Sequence, residues 1–349
     1  MPAFRKPSFA YEYDVDHELD ALRSYPELPD RADRAIPAKS PGHFLLATWN
    51  IANLGLQKRD EADYRLLAEI LGWFDLVAVQ EVNDDLAGLR AIQGHLPEGY
   101  RVQFNDSGGN RERFAFLYDS AKVAPRDEVG EVTVTPLELD RVRLPGVPGR
   151  FVGFDRNPMI ASFQVDATML LLAAVHLYFG DGRPAGLPDD EAAAGNGAAP
   201  APRPAEAPPA AGMDRRVLEA YAVARWADAQ HRSRHAYTNN VIALGDFNLP
   251  VRAEGDRVYD ALVREGLHLP EHSTHVGGSN LNDDANYDQM AIFPGAVEHA
   301  IERVGIFDFD GAVFRDLWGS GSKREQTRFR SYVRFHLSDH RPLWMQMRT

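Results

Sequence analysis

His340 lies in Leu337-Ser338-Asp339-His340-Arg341-Pro342, where an acid and an imidazole stand side by side just before the last apolar run of a 349-residue chain. A carboxylate on one ring nitrogen fixes the tautomer of an imidazole and favours its protonated form, which suits proton exchange near neutral pH. Asn50, Glu81, His176, Asp246, Asn248 and Asp288 stand, like this pair, at the ends of strand-like segments. Polar groups placed at strand exits along the whole chain are expected to assemble one metal-dependent phosphoester site.

Each residue also has a plainer reading when taken alone. Glu81 follows an apolar run and Gln80. A hard divalent ion such as magnesium takes oxygen ligands, and one or two carboxylates with water and a substrate phosphate suffice. A strand-terminal glutamate can equally be just solvated. The Asn50 amide can orient a phosphate oxygen or a ligand carboxylate, or merely make a turn. In Gly245-Asp246-Phe247-Asn248 an acid and an amide separated by one residue can face the same way at a strand end, although Asx residues also favour turns for local reasons. His176 closes the most apolar strand. Asp288 is a candidate partner for His340, and Glu112 for His176, against a surface ion pair between Glu112 and its neighbours Arg111 and Arg113. His268, His272 and His275 raise a zinc reading, which Pro270 and the loop-like Gly277-Gly278-Ser279 oppose.

The elements that must position these groups are legible in outline. Strands are expected over 44–50, 76–81, 100–104, 114–118, 241–245, 289–293 and 343–347, with a hairpin formed by 159–165 and 169–176. Helical spacing covers 60–71 and 84–96 and resumes at Asp214. Residues 1–40 show no sustained period and are expected to be an N-terminal extension lying on a catalytic domain of 41–349. Residues 182–212, almost all Ala, Pro, Gly and acids, are expected to be a flexible insertion, mobile at least at its tip, because they have little to bury against their ordering entropy. Mixed helices and hairpin-rich strands point to two packed sheets with helices outside. Neither a Gly-x-Gly-x-x-Gly nor a phosphate-loop motif is present.

Composition removes several chemistries. With no cysteine, a disulfide framework, a thiolate zinc site and a cysteine nucleophile are excluded. The N-terminal cations lack a following apolar stretch of signal-peptide length, and no later run reaches membrane-spanning length, so a cytoplasmic protein without a membrane span is expected. A net charge of -13 argues against broad attraction to a polyanion. Locally the sign reverses. Lys323, Arg324, Arg328, Arg330, Arg334 and Arg341 crowd the approach to Asp339-His340, either as a basic patch at the site or as a solvated strand or loop.

The series Trp49-Asn50-Ile51, Gln80-Glu81-Val82, Gly245-Asp246-Phe247-Asn248, Tyr287-Asp288 and Ser338-Asp339-His340 resembles, in order, the motifs of the endonuclease/exonuclease/phosphatase superfamily, over about residues 44–347. The segment from Arg111-Glu112-Arg113 to Tyr118, together with Arg156-Asn157-Pro158 and the strand ending in His176, is most similar to the deoxyribonuclease I branch. That resemblance implies an α+β fold, a four-layer αββα sandwich of two mixed sheets with helices on the outer faces. It also implies phosphodiester hydrolysis with Mg2+ or Mn2+. On matching positions it makes Glu81 the principal metal ligand, with Asn50 and Asp339 near the ion or phosphate. Asp246 and Asn248 would position water and phosphate, and Arg156 would contact a phosphate. The pairs His176–Glu112 and His340–Asp288 would flank phosphorus as base and acid, in an order the sequence leaves open. Asn83 and Asn110 depart from that branch, which has an arginine and a tyrosine there that contact the DNA minor groove. The expected function is a nuclease-like, metal-dependent phosphodiester hydrolase with nucleic acid as partner. The alternatives are a phosphatase or phosphodiesterase for a small-molecule or lipid phosphoester, and a non-catalytic binding module. No obligate protein partner is evident.

Overall fold

Strands covered on both faces need unbroken apolar runs, and the motif-bearing strands have them. The computed structural model describes residues 4–28, 30–180 and 208–349. The chain first lays down β1 (His43–Leu54), β2 (Leu76–Asn83), β3 (Tyr100–Phe104) and β4 (Glu112–Asp119) in one sheet. It builds a second sheet from β5 (Val123–Glu131), β6 (Met159–Val165), β7 (Thr168–His176), β8 (Val241–Asp246) and β9 (Asp288–Ile292), then returns to the first with β10 (Ile301–Ile306) and β11 (Leu343–Arg348). The orders are β10-β11-β1-β2-β4-β3 and β5-β6-β7-β8-β9.

The helices are α1 (Val15–Ser24), α2 (Glu61–Gly72), α3 (Ala87–His95), α4 (Pro136–Leu139), α5 (Gly212–Arg232), α6 (Arg257–Val263), α7 (Ala296–Ala300) and α8 (Lys323–His336). Alternation along each strand sorts its side chains into layers. Phe44 and Leu46 of β1 and Leu170, Leu172 and Ala174 of β7 pack between the two sheets. Leu45, Ala47, Trp49 and Ile51 turn to α1, α2, α3 and α8, while Leu171, Ala173 and Val175 turn to α5 and α6. Helices therefore cover both outer faces of a two-sheet sandwich.

Two strand pairs are parallel, β1 with β2 and β7 with β8, and each needs a crossover. The first runs through α2, where the Asp63 carboxylate accepts from Asp60 N at 2.9 Å to close the first turn. The second runs through α5, whose start draws in the end of the expected insertion: Ala210 N donates to Arg150 O at 3.0 Å, and Ala210 is buried. Residues 182–207 of that insertion lie outside the described residues. Both crossovers deliver the C-terminal strand ends, which carry Asn50, Glu81, His176 and Asp246, to one edge of the sandwich.

Four elements differ from the sequence reading. Residues 15–24 form α1 rather than an aperiodic extension, and Leu19 and Leu22 enter the core from among its acids. The basic run 323–336 is a helix, neither strand nor loop. It buries Phe329, Tyr332, Val333 and His336, a spacing of three and four residues that the interspersed charges mask. β5 and β10 were not expected, because their charge-interrupted sequences lack sustained apolar alternation.

Candidate active site

Strand register is what collects the residues. His176 pairs with Asp246 across β7 and β8, and Asp246 pairs with Asp288 across β8 and β9. Gly245 lets β7 and β8 meet there: its φ is 140°, and a Cβ on it would lie 2.0 Å from Val175 O. From the other sheet, Asn50 links the two halves, its Nδ2 donating to Glu81 Oε1 and to Asp246 Oδ2, both at 3.0 Å. The Asn50 Oδ1 is buried with no hydrogen-bond partner.

Glu81 does not continue its strand regularly. Its φ is 59°, and the pairing of β2 with β4 slips between Val79 and Val82, as a bulge does when it redirects a side chain. Asn53 N holds Glu81 Oε2 at 2.8 Å. Asn53 and Asn248 are also left-handed, with φ of 49° and 48°. A non-glycine residue in that region costs about 1–3 kcal/mol, and such costs gather at sites where side-chain direction matters.

Two imidazoles face Asp246 from different elements. His340 Nδ1 meets Asp288 Oδ2 at 2.8 Å and its Nε2 lies 3.8 Å from Asp246 Oδ2. His176 Nδ1 lies 3.3 Å from Glu112 Oε2, with its Nε2 3.5 Å from Asp246 Oδ2 and 4.0 Å from Glu81 Oε1. Burial works against a charged His340, but Asp288 and Asp246 outweigh it and push its pKa well above the ordinary histidine value. Burial likewise raises Glu112, yet the His176 hydrogen bond and the Arg156 charge win and hold its carboxyl at about 2. Asp246 is lowered because His340 and His176 overcome its burial. Asp339 goes the other way, raised by burial and by the charges of Glu81 and Asp246 against the opposing charge of His340. The site is thus short of positive charge where Asp339 meets Glu81.

These groups open onto a cleft of about 540 Å³, lined by Glu81, His176, Asp246, Asn248, Asp339 and His340 together with a rim of aromatic, amide and cationic side chains. Asn50, Asp288 and Glu112 stand behind this lining. Asn248 is aimed by its Nδ2 donating to Leu177 O at 2.8 Å and by its N donating to Asp246 Oδ1 at 2.8 Å.

Arg156 is not at the cleft. Its guanidinium is buried, donating to His176 O and Leu177 O, both at 3.2 Å, and lying 3.1 Å from Glu112 Oε2, so it braces the His176–Glu112 pair. Arg111 and Arg113 pair with Asp84 rather than with Glu112. Arg341, grouped by sequence with the basic approach, is closed by Asp283 and Asp310 at 2.6 and 2.8 Å. The zinc reading fails on geometry. His268 pairs with Glu298 and His275 with Asp33, while burial lowers His272 to about 4. Because that folded-state value lies below the unfolded one, the contribution of His272 to stability is present above about pH 6.5 and is lost as the pH falls toward about 4. His272→Gln is expected to flatten the drop in urea midpoint between about pH 7 and pH 5, relative to wild type.

Several supporting residues were not singled out by sequence. Ser338 Oγ donates to Asn50 O at 2.6 Å and accepts from Ala52 N and His340 N at 3.2 and 3.1 Å, tying the His340 loop to β1. Ser279 Oγ accepts from Asp288 N at 3.0 Å. Arg216 donates to Asn248 O at 3.1 Å. Ser338 lay inside a quoted motif, but Ser279, Arg216 and Asn53 carried no sequence signal, since their value comes only from tertiary position.

The site is thus an acidic cleft at one edge of a two-sheet sandwich, with two histidine–carboxylate pairs around Asp246. The pattern of the Endonuclease/Exonuclease/phosphatase family matches residues 47–297, and the chain belongs to that family. A "Deoxyribonuclease" of Thioalkalivibrio sp. (strain K90mix) is 28% identical over 324 residues, covering 89% of this chain and 72% of that protein. Among solved structures, the human Nocturnin catalytic domain with bound sulfate anion superposes with a TM-score of 0.54 at 13% identity, covering 92% of this chain and 99% of that one. D. rerio TDP2 complexed with single-strand DNA product gives 0.51 at 13% identity, covering 88% and 99%. At these identities the two structures share the fold. No described helix is long and apolar enough to cross a membrane.

Proposed function

We propose that the chain is a divalent-metal-dependent phosphodiesterase, a nuclease of the deoxyribonuclease I type, working at the cleft between β1, β2, β7 and β8. The observation that carries this reading is the placing of two imidazoles, each backed by its own carboxylate, within 4 Å of the same Asp246 oxygen. One phosphate held over Asp246 and Asn248 would meet both rings at once. Asp288 keeps His340 protonated, so His340 is assigned the acid and charge-stabilising role, donating from Nε2 to a phosphate or leaving-group oxygen. Glu112 claims Nδ1 of His176, which leaves Nε2 facing the cleft. Asp246 accepts a hydrogen bond from the attacking water, and Arg156 acts through Glu112 as a positioning residue.

The residues fit a hard cation. Glu81, Asp339 and the unpartnered Asn50 Oδ1 form an all-oxygen set, and the upward push on Asp339 is what a cation beside it would relieve. Asp246, Asp288 and His340 also bring ligand-type atoms within 4.8 Å of one another. Their inner atoms, however, are already bonded to each other and to Asn50 and Asn248, so the Glu81 group is the preferred holder. Magnesium or manganese held there would supply Lewis acidity to the substrate phosphate.

A second reading, a small-molecule or lipid phosphoester as substrate, is favoured by the net charge of -13. A panel decides between them: plasmid DNA, single-stranded DNA, RNA, bis-p-nitrophenyl phosphate and phosphate monoesters, each with magnesium or manganese. Cleavage of polynucleotide supports the nuclease reading, turnover confined to the small esters supports the second, and no turnover of any ester would leave a binding module.

A further inference from the structure

One wall of the cleft is built from the two ends of the chain and has no part in the chemistry above. Phe4 and Arg5 line it together with Arg330 and Arg334 of α8. The N-terminal segment is fastened there. Phe4 N donates to Gln57 Oε1 at 3.1 Å, Gln57 Nε2 donates to Arg334 O at 3.2 Å, and the Arg334 guanidinium lies 4.9 Å from the Phe4 ring. Farther along, Phe9 packs on Tyr332 at 6.0 Å with Arg328 4.3 Å over its ring, so residues 4–9 lie along the helix.

The charges on this wall are unusual for so acidic a chain. Arg330 and Arg334 stand one helical turn apart, about 6 Å along the axis. Among the described residues, neither they nor Arg5 has an ion-pair partner, whereas the neighbouring Arg341 and Arg113 are each closed by two carboxylates. Three unneutralised guanidinium groups facing one cleft exceed what a single scissile phosphate needs. Phe179 is 53% exposed and lines the same cleft, its ring steadied by the Arg216 guanidinium 5.3 Å from the centroid. Cationic tracks combined with exposed rings are how proteins hold a nucleic-acid strand without reading its sequence.

We propose that Arg5, Arg330 and Arg334 form a subsite for the phosphates flanking the scissile one, so that the substrate is a polynucleotide strand lying between α8 and Phe179. The assignment rests on the phosphodiesterase reading for its scissile phosphate, but it makes a binding prediction that needs no turnover. The test uses the full chain carrying His340→Ala, with magnesium present, and fluorescein-labelled single-stranded DNA and RNA of about a dozen nucleotides, followed by anisotropy between about 50 and 200 mM salt. Adding Arg330→Gln and Arg334→Gln is expected to weaken binding at least tenfold at the lower salt. The slope of log affinity against log salt should fall by about 1.4, or about 0.7 for each single-strand phosphate that is no longer neutralised. Arg5→Gln should lower it further, and matching thermal melts would show that the fold is intact. Equal affinity and slope in the parent and the arginine variants would overturn the subsite. Arginine-dependent binding by a wild-type protein that hydrolyses no diester would sink the catalytic reading and leave the subsite standing, whereas hydrolysis of bis-p-nitrophenyl phosphate with an unchanged slope would do the reverse.

Discussion

His340→Ala is expected to lower kcat on a phosphodiester by about a hundredfold to ten-thousandfold, the range that a positioned proton donor contributes, while the protein remains folded. The ring packs near Tyr287 at 5.8 Å between centroids but is not part of an apolar cluster, so its loss removes chemistry rather than core. Asp288→Asn should have a smaller effect with a distinct signature. The Asp288 carboxylate is a principal reason that the pKa of His340 is raised. Removing that charge lowers the value, and the alkaline limb of the pH–rate profile, where an acid loses its proton, should move to lower pH. A profile that stays in place would mean that His340 is not the titrating acid. Steady-state rates across pH for wild type, His340→Ala and Asp288→Asn provide both readings.

Glu81→Gln should weaken magnesium or manganese binding by more than tenfold and reduce turnover at subsaturating metal far more than at high metal. Two features make this residue sensitive. Its backbone is held at a φ of 59° that aims the carboxylate into the cleft, and both carboxylate oxygens are already oriented, by Asn50 Nδ2 and Asn53 N. Glutamine keeps the shape but loses the charge and offers only one oxygen. It also places an amide donor against the donors of Asn50 and Asn53, which leaves one buried hydrogen bond unmade. Calorimetric metal titration separates the weaker metal binding from any change in the chemical step. Unchanged metal affinity would move the cation to Asp246, Asp288 and His340.

Much of this site was legible because strand ends are legible. Apolar runs closed by Asn50, Glu81, His176 and Asp246 mark where buried backbone reaches the edge of a sheet, and parallel pairing brings such ends together. The histidine–carboxylate pairs emerge from the same logic once the register of β7, β8 and β9 is known. Arg156 was misplaced because a guanidinium reads the same in sequence whether it meets a phosphate or braces a buried glutamate, and only its burial distinguishes the two. α8 was hidden by its own charges, since six Lys, Arg and Glu side chains between 323 and 334 surround the stripe of Phe329, Tyr332, Val333 and His336. α1 was missed for a similar reason, its Leu19 and Leu22 lying among acids. Nothing in a local pattern announces that Phe4 and Arg5 reach the cleft, because that placement depends on Gln57 and α8, which are distant in sequence.

The central claim is that one phosphate sits between two imidazoles contributed by different parts of the fold, and a double-mutant cycle tests it most directly. Turnover of bis-p-nitrophenyl phosphate with magnesium would be measured for wild type, His176→Ala, His340→Ala and the double variant. Groups that act together on one transition state are strongly non-additive, so the double variant should lose far less than the product of the two single losses. Strictly multiplicative losses, or single variants that retain wild-type turnover, would contradict a shared site around Asp246.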